Sequence, residues 1–122
     1  MELLITQNLI LINYLVSSKF MTDQQTISWI FLATALATST KPTDMNGIAS
    51  VADGINHAVP THKELQTSIA WLTKKGLTVK HGKNYELTDI GKLEFKSASE
   101  HTNNLLEVWN VIEKNLGSYN DN

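Results

Sequence analysis

The sequence predicts one domain of the α+β class, mainly helical, in which helices lie on either side of a short two-stranded hairpin. Three observations carry that prediction. Apolar residues recur at helical spacing from about residue 24 to 74 and again beyond residue 89. Two short alternating runs, 77–80 and 85–87, flank a polar turn. Helix start and stop signals then fall between these segments: Thr61 with Glu64, Gly76, and Thr88 or Asp89. At 122 residues the chain suits a single core and is short for two.

The opening, residues 2–18, is strongly apolar but is interrupted by Thr6, Gln7, Asn8 and Asn13. It falls short of the roughly 20 residues that span a bilayer, and Glu2 without an early lysine argues against a signal peptide. Leu4, Leu11 and Leu15 fit a helical stripe, although the β-branched content leaves a strand open. Such a segment either packs on its own domain or forms a dimer contact, and Met21 could also be an alternative start. Residues 1–20 are accordingly read as an N-terminal extension, 21–96 as the domain proper, and 97–122 as a C-terminal helix that could serve dimerisation, ending in a frayed tail.

Within the domain, Asp23 or Thr22 caps a first helix near 24–38, with Ile27, Ile30, Phe31, Ala35 and Leu36 on one apolar face. Residues 39–43 form a loop in which Pro42 is the stop. Asp44 caps a second helix near 45–58, carrying Ile48, Val51, Ala52 and Ile55. The turn at 57–60 follows because the residue before a proline is pushed out of the helical region. Thr61 and Glu64 make a capping box for a third helix, whose buried stripe is Leu65, Ile69 and Leu72. At about 100° per residue, Lys63, Thr67, Ala70 and Lys74 fall on the opposite side. Gly76 stops that helix, and residues 81–84 connect the strands, with Gly82 and Asn84 tolerating the positive φ of such turns. Beyond Thr88, the apolar residues Leu93, Phe95, Leu105, Leu106, Val108, Trp109, Ile112 and Leu116 belong to one long helix, or to two if the polar stretch 97–104 breaks it.

Charge is unevenly spread. Residues 62–84 hold Lys63, Lys74, Lys75, Lys80 and Lys83 against Glu64, a balance of +4 in a chain of net charge −2, so the rest carries −6. A basic island on an acidic body is the footprint of a polyanion-binding surface, or simply a solvated face. The chain has no arginine, the commonest reader of guanine edges, and lysine acts more as a point charge.

The string LQTSIAWLTKKGL followed by KHGKNYELTDIGK resembles bacterial winged helix-turn-helix transcription regulators, whose final helix pair often serves dimerisation. The string ADGINHAVPTHKEL is similar to a group of small, largely uncharacterised bacterial winged-helix proteins. The resemblance covers roughly residues 27–95. It implies a winged helix with a two-stranded wing plus extra N-terminal and C-terminal helices, with 61–75 as recognition helix and 77–87 as wing. The function so expected is that of a cytoplasmic, homodimeric regulator of transcription binding double-stranded DNA through Thr61, His62, Lys63, Gln66, Thr67 and Lys74 of the helix and Lys80, His81 and Lys83 of the wing. The alternative is a winged-helix protein–protein interaction or oligomerisation module without nucleic acid.

Little points to catalysis. The chain lacks cysteine, and His57, His62, His81 and His101 have no HxxxH or HExxH spacing that would set two metal ligands on one helical turn. Asp53, His57 and His62 are near in sequence, but Asn56 and His57 fit better as hydrogen-bonding groups of a turn. Gly47 and Gly54 lie inside an apolar-periodic helix rather than a phosphate loop. No enzyme activity, cofactor, metal, membrane association or small-molecule ligand is expected. Of the tryptophans, Trp29 reads as core and Trp109 as part of a helix–helix seam within the chain or across a dimer. Trp71, about 120° from the buried stripe, is read as half-exposed, either packing on the wing or stacking on a partner or base.

Overall fold

The computed structural model describes residues 21–120, so the expectations for residues 1–20 lie outside the described residues. Those described residues form a mainly helical α+β arrangement: α1 (Asp23–Ala37), α2 (Met45–Asn56), α3 (His62–Lys74), β1 (Thr78–His81), β2 (Asn84–Leu87), α4 (Asp89–Ser99) and α5 (Leu105–Gly117).

Helix α1 is capped by Thr22 rather than Asp23. The Thr22 hydroxyl accepts from the Gln25 N–H at 3.1 Å, and the Gln25 side chain accepts from the Thr22 N–H at 2.9 Å. This is a capping box with glutamine in the third position. The one-sided apolar stripe expected of α1 is corrected: every residue from Ser28 to Ala35 is buried, while Ile27 and Leu36 are only half-buried. The cause is packing from several directions, since α2, α3 and α5 all lie against α1. A helix covered all round needs no amphipathic pattern.

Its polar groups are satisfied at short range. The hydroxyls of Ser28 and Thr34 donate to the carbonyls of Gln24 and Ile30, each at 2.7 Å. Trp29 is core as expected, its indole N–H donating to the Ala52 carbonyl of α2 at 2.9 Å. Trp109 closes an intrachain seam: its ring stacks on Trp29 with centroids 6.3 Å apart, and its N–H donates to the Gln25 carbonyl at 3.1 Å.

Helix α2 is capped by Asp44, which accepts from the Gly47 N–H, and buries Ile48, Ala52 and Ile55. It ends because His57 adopts the left-handed region at φ 54, before any constraint from Pro60 applies. The loop between α1 and α2 also does more than turn. Thr43 exchanges two backbone hydrogen bonds with Tyr85, at 2.7 and 3.1 Å, so it sits beside β2 as a one-residue bridge.

The capping box at Thr61 and Glu64 forms as expected, with the Glu64 carboxylate accepting from the Thr61 N–H at 2.8 Å. At the other end of α3 the chain makes a Schellman motif. Gly76, at φ 77, donates to the Thr73 carbonyl, and Leu77 donates to the Leu72 carbonyl at 2.9 Å. Leu72 and Leu77, the apolar pair of that motif, are both fully buried. The hairpin follows at once, with Thr78 opposite Leu87 and His81 opposite Asn84. Its connection is shorter than the expected 81–84: Gly82 and Lys83 alone turn the chain, Gly82 takes φ 64, and Asn84 is a paired strand residue. Glycine at the first of two turn residues suits the right-handed twist of the strands.

Thr88 then caps α4 and also donates to the Gly76 carbonyl at 2.6 Å, tying the end of the hairpin to the end of α3. The polar stretch does break the final segment into two helices, with Asn104 capping α5. Val108, Ile112 and Leu116 are buried as expected, but Leu93, Leu105 and Leu106 are exposed. The assumption of one apolar face fails because the inward side of α4 is set by Gly91 and Ala98, with Phe95 half-buried beside them, while Leu93 projects away. Where fraying was expected from Gly117 onward, residues 118–120 make a turn anchored by Tyr119, whose hydroxyl donates to the Glu94 carboxylate at 2.7 Å.

Gly91 marks a close approach to backbone, because a Cβ there would run into the carbonyl of Leu77. Gly91→Ala is expected to lower stability by about 1–3 kcal/mol. Gly54→Ala, in helical backbone with open space around it, should raise stability by about 0.4–1 kcal/mol. Urea unfolding of the two variants measures both, and equal effects would remove the close-approach account.

Candidate nucleic-acid interface

Helix α3 divides into two faces. Leu65, Ser68, Ile69 and Leu72 point into the core, while Thr61, His62, Lys63, Gln66, Thr67, Ala70, Thr73 and Lys74 are exposed. On the hairpin, Lys80, His81 and Lys83 are exposed as well. All nine residues expected at a DNA contact therefore reach solvent. The structure brings them onto two linked elements rather than one compact patch.

The two elements join near the end of α3, where the Thr73 and Thr78 hydroxyls share a hydrogen bond at 2.9 Å. That fixes which flank of α3 faces the hairpin. Thr73 and Gln66 share it, and Lys74 follows next in the chain. Lys63 and Thr67 lean toward the other flank, where they line a cleft of about 640 Å³ with Trp71, Met21 and Gln24 near the start of α1 and with Leu116 and Asn120. Ala70 sits between the flanks, on the outward side.

Trp71 is half-buried as expected, but its packing against the hairpin is corrected. Two positions along the helix from Thr73, it points away from the strands. It meets the edge of Tyr119 with centroids 6.4 Å apart, and the Lys75 ammonium lies 5.7 Å from its ring centre. Lys75 therefore belongs to a cation–π contact and adds less to the outward face than its position in the basic island suggests.

The remaining cations differ in how committed they are. Lys80 lies over the ring of its cross-strand partner Tyr85, 5.7 Å from the centre. His81 Nε2 is 3.1 Å from the Glu86 carboxylate. The register explains it: Glu86 lies diagonally across the hairpin from His81, within reach on the same face. Lys63, Lys74 and Lys83 form no ion pair among the described residues. With Lys80, whose contact is to a ring and not to a carboxylate, they are exposed positive charges of this surface without a carboxylate partner within that set.

Among the described residues no group of three His, Asp or Glu side chains is arranged to hold a metal ion, so Asp53, His57 and His62 do not converge in that way. No described helix is long and apolar enough to cross a membrane. No protein-family model, curated protein or solved structure matches the chain. Sequence reasoning missed the Glu86 partner of His81 and the anchoring of Trp71 by Tyr119. The strand register could have found the first; the second joins residues too far apart in sequence to leave a local signal.

Tyr119 gives the cleft side a titratable marker. Its burial, the hydrogen bond to Glu94 and the charge of that carboxylate push its phenol from the usual 10 up to about 12. Below pH 10 both folded and unfolded chains hold the proton. Between pH 10 and 12 only the folded chain keeps it, so this contribution to stability is lost as pH rises through that window. The melting temperature of the native chain should fall relative to Tyr119→Phe between pH 10 and 12. Parallel curves would show that the phenol is not so held.

Proposed function

We propose that the chain is a winged helix-turn-helix domain that binds double-stranded DNA as a cytoplasmic, homodimeric regulator of transcription, without enzymatic activity. The observation that carries this reading is the set of exposed lysines that form no ion pair among the described residues, Lys63 and Lys74 on α3 and Lys83 at the hairpin turn. The order of elements supports it: three helices, a hairpin held tightly to the third, and a bridge from the loop after the first helix onto the hairpin.

In this reading α3 enters the major groove with its small and cationic side. Ala70 and Thr67 allow close approach, and Lys63 and Lys74 meet phosphates on either side. Lys80 and Lys83 place the wing on the backbone, with Thr61, His62 and Gln66 at the leading end of the helix. His81 contributes through the pair it forms with Glu86. Lysines without arginine favour phosphate contact over base reading, so affinity should be salt-dependent and modest in sequence preference.

The alternative, an interaction module without nucleic acid, is favoured by the apolar side chains left exposed on α4 and α5. Fluorescence anisotropy of a labelled random duplex, titrated with salt, separates the two. Binding should weaken with a log–log slope corresponding to about three to five released counterions. Lys74→Glu combined with Lys83→Glu should reduce affinity at least about tenfold and flatten that slope by about two. No binding at low salt favours the interaction module, and unchanged binding by the double variant removes this surface from the reading.

A further inference from the structure

Helix α5 was expected to offer an apolar face to a second subunit, yet Val108, Ile112 and Leu116 are spent on the core and Trp109 on Trp29. What remains exposed lies elsewhere. Of the five large apolar side chains exposed among the described residues, Ile90 and Leu93 stand on α4, and Leu105 and Leu106 on the first turn of α5, which packs beside α4. Leu93 is 67% exposed and lies opposite the buried Gly91 and Ala98 side of its helix. The inward side of this helix carries Gly91, Ala98 and the half-buried Phe95, yet two large apolar side chains, Ile90 and Leu93, are left facing outward, as on a surface that meets a partner.

We infer that this face is where two copies of the chain meet, with α4 packed antiparallel to its counterpart about a two-fold axis at Leu93. The charges on the helix select that occupant. A two-fold contact must be self-complementary, each residue meeting its symmetry opposite. Asp89 lies four positions before Leu93 and Lys96 three positions after it, and both are exposed. At about 100° per residue they fall on the same edge of the outward face, and at about 1.5 Å per residue they are nearly equidistant from Leu93. An antiparallel pair centred on Leu93 therefore sets Asp89 of each copy beside Lys96 of the other, twice. On the opposite edge Ile90 meets the small side chain of Ser97 in the second copy. A parallel pairing about a two-fold axis would set the Asp89–Lys96 edge of each copy against the Ile90–Ser97 edge of the other and form neither charge pair. The inference deepens the homodimer part of the proposed function, naming its surface, and does not depend on DNA binding.

Sedimentation velocity of the full chain across a concentration series tests it, with circular dichroism confirming the fold of each variant. The native chain should show a monomer–dimer equilibrium. Leu93→Glu, at an exposed position, should weaken the dimer by at least about tenfold, since it sets two carboxylates together at the axis. Lys96→Glu should weaken it by opposing Asp89 of the other copy, and combining it with Asp89→Lys should restore association to within about threefold of the native chain. That restoration is a readout that simple loss of stability would not give. A native chain that stays monomeric overturns both the homodimer and this surface. A native dimer indifferent to Leu93→Glu, or one lost only on removal of residues 1–20, overturns the surface alone. Failure of the charge exchange to restore association overturns the antiparallel arrangement.

Discussion

The arrangement depends on one helix being covered from every side. α1 is buried from Ser28 to Ala35, and α2, α3 and α5 all rest on it. Such a helix cannot leave a polar group facing its neighbours, because an unpaired donor in that setting costs more than an ordinary hydrogen bond returns. Its own hydroxyls turn back onto carbonyls one turn earlier, and Trp29 finds the Ala52 carbonyl. Trp109 closes the remaining side by stacking on Trp29 and donating to Gln25. Two aromatic rings and two indole N–H groups thus fix where α2 and α5 sit.

From that frame the candidate interface inherits its rigidity. α3 gives its leucine side to the core and leaves its small, cationic side outward. The hairpin cannot swing independently, because Leu77 is buried within the Schellman motif and Thr88 bonds back to the Gly76 carbonyl. Thr43 holds its second strand from the far side. The lysines of α3 and of the hairpin are therefore spaced by backbone hydrogen bonds rather than by flexible loops, which is how a surface meets a regular array of phosphates without ordering itself first.

Much of this was legible in the sequence wherever the determinant was local. Thr61 with Glu64, Asp44, Gly76 and the alternation around the hairpin each act within a few residues, and each placed its element within a residue or two of where it lies. Features that depend on several elements at once were not legible. The composition of α1 reads as one apolar face only if one neighbour is assumed, whereas α2, α3 and α5 all pack on it and β2 and α4 touch it as well. The exposure of Leu93 follows from Gly91 meeting the Leu77 carbonyl, a contact across the hairpin that no periodicity encodes. The outward residues of α3 were legible because a capped helix with a clear buried stripe fixes its opposite face. The commitments of Lys75, Lys80 and His81 were not, since their partners Trp71, Tyr85 and Glu86 are set by packing and register.

The division of labour across the surface follows from the same geometry. Cationic residues occupy the third helix and the hairpin, while exposed apolar residues occupy the helix that leaves the hairpin and the start of the next. These are different kinds of surface: desolvating lysine heads against a protein is costly, whereas leaving leucine in water forgoes a gain on burial. Thr88 joins them, ending one element and capping the other within a single hydrogen-bonded corner. A partner seated on α4 would therefore hold the hairpin in a defined direction with only that corner between them. Whatever orients α4 also orients the cations of the hairpin, and through Gly76 the end of α3. The apolar face and the basic face are thus mechanically one unit even though their chemistries call for different partners.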